Sequence, residues 1–482
     1  MQDKISGKTV ASGVAWAFGE RIVAQSISFV VSILLARMLL PEDYGAVSLV
    51  LVFINLANVF VSNGLGESLV QKADATALDF STIFYCGLAM AAALYAIIFF
   101  SAPSIADFYT NPDLISVIRV VALALPVTAV NTVQNAYVSR NMIFRKFFMS
   151  TLFGSALSGA VGVIMALNGF GVWALVAQYL TNTLVGTFVL FLIIPWRPQW
   201  QFSLMEAKIL LRFGTKIMGA EFINTAYTQL RTLIIGKIYN TSQLAYYQKG
   251  DSFPSLVITN IDTAVSKVLF PSMVRVNTNS RDLKRFVRKS MRITSYVIFP
   301  IMIGLAVIAK PLILVLLTEK WLPCVKYLQI LSIYWMFQPV LTANWQVIKA
   351  MGRSDLCLLL ELVKKTVGIL LVLGSMFISV EALAVSNIVL AIFSVFVNMV
   401  PCTKLIGYAV KEQIKDLLPA FLLSILMGLA VFALNAASLP TLGLLIAQIV
   451  VGAIVYIALS LVFRVQSFFD CLKLLRSYLV RA

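Results

Sequence analysis

Histidine is absent from this sequence, charged residues are scarce and cysteines are few. The chain therefore has no histidine for acid–base catalysis or for metal binding. No two cysteines form a CxxC pair or another metal-ligand spacing, so we interpret them as small hydrophobic residues and predict no metal site. The cysteines are Cys86, Cys324, Cys357, Cys402 and Cys471.

Hydrophobic residues make up 60% of the 482 residues, charged residues only 12%, and the mean hydropathy is +0.91. Soluble globular proteins have roughly 45–50% apolar and about 25% charged residues, so that class is excluded. A membrane-spanning helix needs about 20 consecutive apolar residues, and many such stretches are present. They leave no room for a soluble catalytic domain, so no enzymatic activity is predicted. The net charge is +17, but the sequence contains no basic and aromatic surface module of the kind that binds nucleic acids. No nucleic-acid partner is therefore predicted.

Fourteen membrane-spanning helices are predicted from the apolar runs. Two charge-free runs, 147–196 and 417–463, are double length, and each is interrupted by a turn sequence, so each is interpreted as a helical hairpin. The sequence therefore predicts an all-α polytopic membrane protein. The predicted spans are 11–39, 44–63, 80–101, 114–137, 147–167, 171–195, 209–237, 243–273, 288–309, 325–349, 355–379, 382–403, 414–436 and 440–463.

Lysine and arginine are concentrated in alternate loops, as is typical of cytoplasmic loops. Both termini fall on this basic side, which requires an even number of spans. We therefore predict that both termini are cytoplasmic. The most basic stretch, Arg281–Arg292, has two interpretations: it binds anionic lipids, or it only determines the orientation, and the second is favoured.

An internal repeat is indicated by a shift of 200 residues, which aligns Leu35–Met38 with Ile235–Ile238 and Tyr44-Gly45 with Leu244-Ala245. The first and seventh spans then correspond, and six intervening spans give the two halves the same orientation, as in transporters with parallel repeats. A chance alignment is the alternative. We predict two six-helix lobes around a central cavity, two further helices and a cytoplasmic amphipathic tail, with the boundaries 1–200, 201–408, 409–464 and 465–482.

Several predicted spans contain ionisable residues, which are costly in a membrane and usually face an interior pathway. On the seventh span, Glu221, Asn224, Thr225, Thr228 and Arg231 recur at spacings of three and four, which places them on one helix face. Seven bases outnumber five acids, so the cavity is predicted to be cationic and its cargo anionic. The bases are Arg21, Lys216, Arg231, Lys249, Lys267, Lys364 and Lys365; the acids are Glu20, Glu221, Asp251, Asp262 and Glu361.

A structural alternative applies to some of these charges. Glu20 with Arg21, Lys249 with Asp251, and Glu361 with Lys364 or Lys365 could be neutralising pairs, or the lysines could reach the membrane edge. Four bases have fewer obvious local partners and are the favoured anion-binding residues, with three others as additional cavity bases. The favoured four are Arg21, Lys216, Arg231 and Lys267; the additional three are Lys249, Lys364 and Lys365.

Several short strings along the chain match a known family in their order and spacing. The strings are Ser12-Gly13 with Trp16, Leu35–Arg37 followed by Tyr44-Gly45, Asn111–Leu114, Phe202–Leu204 with Leu211–Gly214, Val268–Pro271 and Glu319–Trp321. Each string is short, but their order and spacing together are fairly specific. By these strings the sequence resembles bacterial polysaccharide flippases of the multidrug/oligosaccharidyl-lipid/polysaccharide exporter superfamily, in the branch of the colanic acid exporter and related lipopolysaccharide-biosynthesis proteins.

The resemblance implies a two-lobed, fourteen-helix carrier that moves an undecaprenyl-diphosphate-linked oligosaccharide across the bacterial inner membrane by alternating access. The product would be an exopolysaccharide, a capsule or O-antigen, with membrane lipid, a polymerase and glycosyltransferases as partners. No cofactor is implied. The resemblance supplies no signature for the cavity bases, so the assignment of Arg21, Lys216, Arg231 and Lys267 to the diphosphate rests on the charge argument.

Ion coupling is a further hypothesis. Glu20, Glu221, Asp251 or Asp262 would couple a proton or a sodium ion to transport. Two other functions remain open: a drug antiporter of the same superfamily, whose cavity should be acidic, and a membrane polysaccharide polymerase, which should carry a large outer loop with catalytic groups.

Overall fold

A computed structural model describes the backbone of residues 7–72, 74–276, 280–437 and 439–479. Within these ranges it describes all side chains except those of residues 7–22, 144, 264, 267, 268, 270, 271, 275, 276, 280 and 474–479.

Throughout the described residues the protein is helical, without a β-strand, which confirms the predicted all-α class. The α-helices are α1 (Gly7–Met38), α2 (Pro41–Asn58), α3 (Gly64–Gln71), α4 (Ala77–Phe108), α5 (Leu114–Val121), α6 (Ala124–Asn141), α7 (Phe144–Leu167), α8 (Val172–Ile193), α9 (Leu204–Ile238), α10 (Thr241–Val276), α11 (Ser280–Val307), α12 (Ala309–Leu316), α13 (Cys324–Trp335), α14 (Gln338–Ala350), α15 (Ser354–Ser375), α16 (Val380–Ile406), α17 (Val410–Ala433), α18 (Thr441–Val462) and α19 (Gln466–Leu479). A π-helical turn, Val59–Asn63, joins α2 to α3, and the 3₁₀ turns are Glu319–Trp321 and Leu434–Ala436.

Nine helical segments of the described chain are long and apolar enough to cross a membrane, so this is a multi-pass membrane protein. Three further long helices, α9, α10 and α15, do not qualify because charged and polar residues interrupt their apolar runs, and the part of α1 with described side chains is a shorter apolar helix, Val23–Met38. The count of fourteen spans and the cytoplasmic termini remain predictions.

Both predicted hairpins are confirmed. α7 ends at Leu167 and α8 begins at Val172, and the turn between them has positive φ angles at Gly169 (78°) and Gly171 (53°). Glycine adopts such angles without the strain that a Cβ would cause. The second turn ends at Pro440, directly before α18.

Two predicted spans are interrupted in the structure. Span 114–137 is divided into α5 and α6, and span 325–349 into α13 and α14. Pro126 and Pro339 lie in the first turn of the second helix of each pair, where the missing N–H of proline has no intrahelical partner to lose. The prolines therefore mark the start of a new helix at each interruption.

The described chain forms two compact units, unit one (Met1–Ala245) and unit two (Tyr246–Ala482). Unit one includes α9, which packs on α2, α3 and α4. The α1–α2 boundary at Met38 and Pro41 recurs 200 residues later, where α9 ends at Ile238 and α10 begins at Thr241. The helix boundaries therefore follow the shift seen in the sequence, while the four predicted domain boundaries remain predictions.

Candidate functional site

The helix α9 is fixed within unit one at its first turns. Ser203 caps it by accepting a hydrogen bond from the Glu206 N–H at 3.3 Å. Glu206 Oε2 lies 2.7 Å from Lys72 Nζ, which also lies 2.7 Å from Asp79 Oδ1 on α4. Gly64 of α3 lies so close to α9 that a Cβ there would be 2.5 Å from the Gly214 carbonyl oxygen. These contacts hold the polar part of α9 in a defined position.

The polar face that the sequence predicted on the seventh span lies on the continuous helix α9. Asn224 Nδ2 donates to Glu221 Oε1 at 3.5 Å, and Thr228 Oγ1 donates to the Thr225 carbonyl at 2.9 Å. Arg231 lies on the same face, one turn further on. Lys216, by contrast, is exposed in the first half of the helix.

Arg231 has an unusual environment. Its Nε and Nη2 atoms are buried, and they have no hydrogen-bond partner among the described residues. A guanidinium nitrogen removed from water without a partner is costly, and phosphate or carboxylate oxygens are the partners that fit its fork geometry. Arg231 is therefore the described base best suited to an anionic ligand.

Neutral polar side chains inside unit one were missed by the sequence analysis. Asn58, Gln134 and Asn135 each have a buried carbonyl oxygen without a hydrogen-bond partner in the described part of the chain. The Asn135 amide donates to Asn131 Oδ1 at 2.5 Å, and the Asn131 amide donates to Thr187 Oγ1 at 3.1 Å. A search for asparagine and glutamine in charge-free runs, rather than for ionisable residues alone, could have found these groups.

In unit two, the carboxylates of Asp251 and Asp262 both contact the interrupted helix pair α13–α14. Trp335 Nε1 donates to Asp251 Oδ1 at 2.8 Å, and Thr342 Oγ1 donates to Asp262 Oδ1 at 2.5 Å. The two acids are separated by three turns, so they share one face of α10 and are about 16 Å apart along its axis. Trp335 is the last residue of α13 and Thr342 lies in α14, so the acids address opposite sides of the interruption.

The additional cavity bases have mixed environments. Lys249 is only 7% exposed, and its Nζ lies 5.7 Å from the centre of the Trp321 ring. Lys364 Nζ lies 2.6 Å from Glu361 Oε1, which confirms that predicted neutralising pair. Lys364 also lies over Trp345, 4.5 Å from the ring centre. Lys364 is therefore already compensated by protein groups and is a weaker ligand candidate than Arg231.

Three predicted site residues lie outside the described side chains: Glu20, Arg21 and Lys267. Lys365 has an interaction with neighbouring protein groups, so it is not a free base. Among the described residues, no group of three or more cysteine, aspartate and glutamate residues could hold a metal ion.

The fold defines the class of the protein. The structure is similar to the lipid II flippase MurJ in its inward closed conformation, with a TM-score of 0.75 at 16% sequence identity over 94% of this chain and 98% of that chain. This likeness shows a multi-pass membrane protein with the fold of that flippase.

The particular family is shown by sequence. A family model described as polysaccharide biosynthesis protein matches residues 34–326, more than half of the chain, and the chain belongs to that family. The succinoglycan biosynthesis transport protein ExoT of Rhizobium meliloti is 27% identical over 67% of this chain and 65% of its own length. The teichuronic acid biosynthesis protein TuaB of Bacillus subtilis is 23% identical over 89% of this chain and 90% of its own length. The resemblance drawn from short motifs is therefore confirmed.

Proposed function

We propose that this protein is a flippase that moves an undecaprenyl-diphosphate-linked oligosaccharide from the cytoplasmic to the outer leaflet of the bacterial inner membrane. The observation that carries the proposal is the guanidinium edge of Arg231, which is buried without a hydrogen-bond partner in the described part of the chain, in a member of the polysaccharide biosynthesis family. The lipid II flippase fold and the transport protein ExoT support the same kind of cargo.

The anionic part of the cargo is a diphosphate, which needs cations at membrane depth. Arg231 supplies a guanidinium that can bind two phosphate oxygens at once. Lys216 lies on the same helix in an exposed position, so it is suited to the first encounter with the diphosphate. Arg21 and Lys267 remain proposed partners in binding from the charge pattern of the sequence.

Transport is coupled to a proton or sodium ion through unit two. Asp262 and Asp251 hold the two sides of the α13–α14 interruption, and interrupted helices expose backbone carbonyls that can bind small cations. Protonation or sodium binding would weaken the bonds to Thr342 and Trp335. That change would alter the interrupted helix during alternating access. Glu221 and Glu20 are the corresponding candidates on α9 and α1.

The cellular setting follows from this cargo. The protein lies in the inner membrane with both termini in the cytoplasm, where glycosyltransferases complete the lipid-linked oligosaccharide. A polymerase receives the oligosaccharide in the outer leaflet. The protein performs no covalent chemistry.

A leaflet assay tests the proposal. Fluorescent undecaprenyl-diphosphate oligosaccharide is added to liposomes that contain the purified protein, and an impermeant quencher reports its transfer between leaflets. Transfer by the parent protein, with a loss of at least about 30-fold in Arg231→Met, is expected from removal of charge-assisted hydrogen bonds. No transfer by the parent under either ion gradient would contradict the flippase function.

Two arms of the assay address the other functions. Uptake of a cationic dye against its gradient would indicate a drug antiporter. Growth of the oligosaccharide chain by the purified protein would indicate a polymerase. Neither is expected.

A further inference from the structure

Unit two carries an apolar groove of about 820 Å³ on its surface. Its walls come from α11, α13, α14, α16 and α17, and Ser332 is the only polar residue among the described residues that line it. Along α17 the lining residues extend from Ile414 to Phe432, about 27 Å, which is close to the roughly 30 Å of a bilayer hydrocarbon core. Phe396 and Leu418, on opposite walls, are each 46% exposed. The groove therefore opens towards lipid along the membrane depth.

Lysines lie at one end of this groove. Lys411 and Lys415 precede the lining residues Ile414 and Leu418 by three positions, so they lie on the same face of α17. Lys404 lies near the end of α16, beyond the lining residue Met399. All three lysines are exposed. A long apolar surface thus ends in a group of cations.

The acidic residues in the same turns of α17, Glu412 and Asp416, form ion pairs with basic residues of α11. Glu412 Oε2 lies 2.6 Å from Lys284 Nζ. Asp416 accepts two hydrogen bonds from Arg288, at 2.5 and 2.8 Å, and one from Tyr408 at 2.8 Å. Within the described chain, no acidic side chain therefore pairs with the three lysines at the groove end.

The backbone that carries these lysines is well fixed. Gly407 ends α16 with a φ of 66°, and Tyr408 after it is fully buried. The buried Gln413 donates to the Tyr408 carbonyl at 3.0 Å and accepts from Asn344 at 3.0 Å. The lysines therefore project from a preformed structure, which reduces the entropy lost when a ligand binds.

We propose that this groove binds an anionic phospholipid of the surrounding bilayer. One acyl chain lies between α16 and α17, and the phosphate lies at Lys404, Lys411 and Lys415. A membrane phospholipid fits because its acyl chain lies at membrane depth and its phosphate lies at the membrane edge, where the three lysines are. The basic stretch Arg281–Arg292 does not bind the phosphate itself in this proposal. Its residues Lys284 and Arg288 neutralise Glu412 and Asp416, which would otherwise repel the phosphate.

The head-group half of the proposal is tested by lipid binding to the detergent-solubilised full chain. Phosphatidylglycerol and phosphatidylcholine are titrated separately, and bound lipid is counted by native mass spectrometry. The double variant K411A/K415A should weaken phosphatidylglycerol binding about 30-fold, because two surface bases are removed. The matched control is K208A/R212A, which removes two exposed bases four residues apart on α9 and should bind like the parent.

The proposed binding of the acyl chain in the groove is tested by a substitution that fills the groove. Leu418→Trp places a large ring in it, whereas Leu422→Trp changes a residue on the same helix that is 48% exposed and does not line the groove. Only Leu418→Trp should reduce phosphatidylglycerol binding. Equal binding of the two phospholipids, equal loss in K208A/R212A, or equal loss in Leu422→Trp would overturn the proposal. Preferential displacement of phosphatidylglycerol by a polyprenyl phosphate would also overturn it, because the groove would then belong to that lipid.

Discussion

At the scale of single residues, the burial of the Arg231 guanidinium nitrogens is costly for folding and suits the binding of an anion. Nε and Nη2 of its guanidinium group are buried without a hydrogen-bond partner among the described residues, so these two nitrogens add no hydrogen bond to the described fold. In the proposed flippase, a bound anion would supply the hydrogen bonds that these two nitrogens lack. Stability and transport should therefore respond in opposite ways to its replacement.

Arg231→Met should leave the unfolding temperature unchanged or raise it by a few degrees, since two buried nitrogens without a described hydrogen-bond partner are replaced by an apolar chain of similar length. Transport in the leaflet assay should fall by at least about 30-fold. Arg231→Lys, which keeps the charge but loses the fork, should have intermediate activity. Lys208→Met on the same helix is the control. A lower unfolding temperature with normal transport would indicate a structural arginine instead.

Asp262 gives a second prediction at this scale, which concerns ion coupling. Asp262→Asn replaces the ionisable carboxylate with a neutral amide, and Thr342→Val removes the hydroxyl that donates the 2.5 Å hydrogen bond between α10 and α14. We expect both variants to lose the stimulation of transport by a proton or sodium gradient while retaining exchange without a gradient. The control is Asp282→Asn, an exposed acid at the start of α11. Normal gradient dependence in both variants would exclude Asp262 from coupling.

At the scale of helices, the close approach of α3 and α9 explains how a polar helix is held in unit one. A Cβ at Gly64 would lie 2.5 Å from the Gly214 carbonyl oxygen, so the two backbones meet without side chains between them. Gly64→Ala should destabilise the protein by about 1–3 kcal/mol through overpacking. Gly374→Ala, at an open position on α15, should stabilise it by up to about 1 kcal/mol. Thermal unfolding in detergent measures both, and shifts of the same sign would contradict the packing.

The ion pairs of Lys72 join α3, α4 and α9, and their two acids should not contribute equally. The Asp79 side chain is 1% exposed and caps α4 with Thr76, whereas the Glu206 side chain is 25% exposed. Asp79→Ala should therefore cost about 3 kcal/mol, and Glu206→Ala less than about 1 kcal/mol. Unfolding of each variant in parallel gives the comparison. Equal losses would show that burial does not decide the strength of these pairs.

The same pairs give a pH dependence with a defined sign. The hydrogen bonds that Lys72 donates to Asp79 first and to Glu206 second raise the pKa of Lys72 above its usual 10.5. A raised pKa means that the stabilisation is complete below about 10.5 and is lost as the pH rises through the folded-state value. The two alanine variants should therefore differ from the parent at neutral pH and approach it at strongly alkaline pH.

At the scale of the whole molecule, the distribution of basic loops predicts the orientation in the membrane. Asp113 lies in a predicted outer loop, and Trp200, which is 97% exposed, lies in a predicted cytoplasmic connection. In a background without native cysteines, Asp113→Cys should react with an impermeant maleimide in intact cells. Trp200→Cys should react only after the inner membrane is permeabilised. The reverse pattern would place both termini outside the cytoplasm.

Composition and periodicity alone determined the class of this protein. A chain with 60% hydrophobic residues can be soluble only in lipid, and backbone groups in lipid must pair within helices, so an all-α multi-pass fold followed. The hairpin turns and the polar face of α9 were also readable, because glycine positions and three- and four-residue spacings are local properties. The short motifs were sufficient to indicate the family.

Only the tertiary structure decided which of the polar residues have partners. Spacing could suggest that Glu361 and Lys364 pair, but it could not show that Asp251 contacts Trp335, because those residues lie 84 positions apart in sequence. For the same reason, the sequence could not predict the interruption between α13 and α14 or the buried amides of unit one. It also could not predict that two nitrogens of Arg231 lack a hydrogen-bond partner among the described residues. The contacts of a polar side chain in a membrane depend on which helices pack together. Hydrophobic runs that are equally apolar on all sides do not specify which helices will be their neighbours.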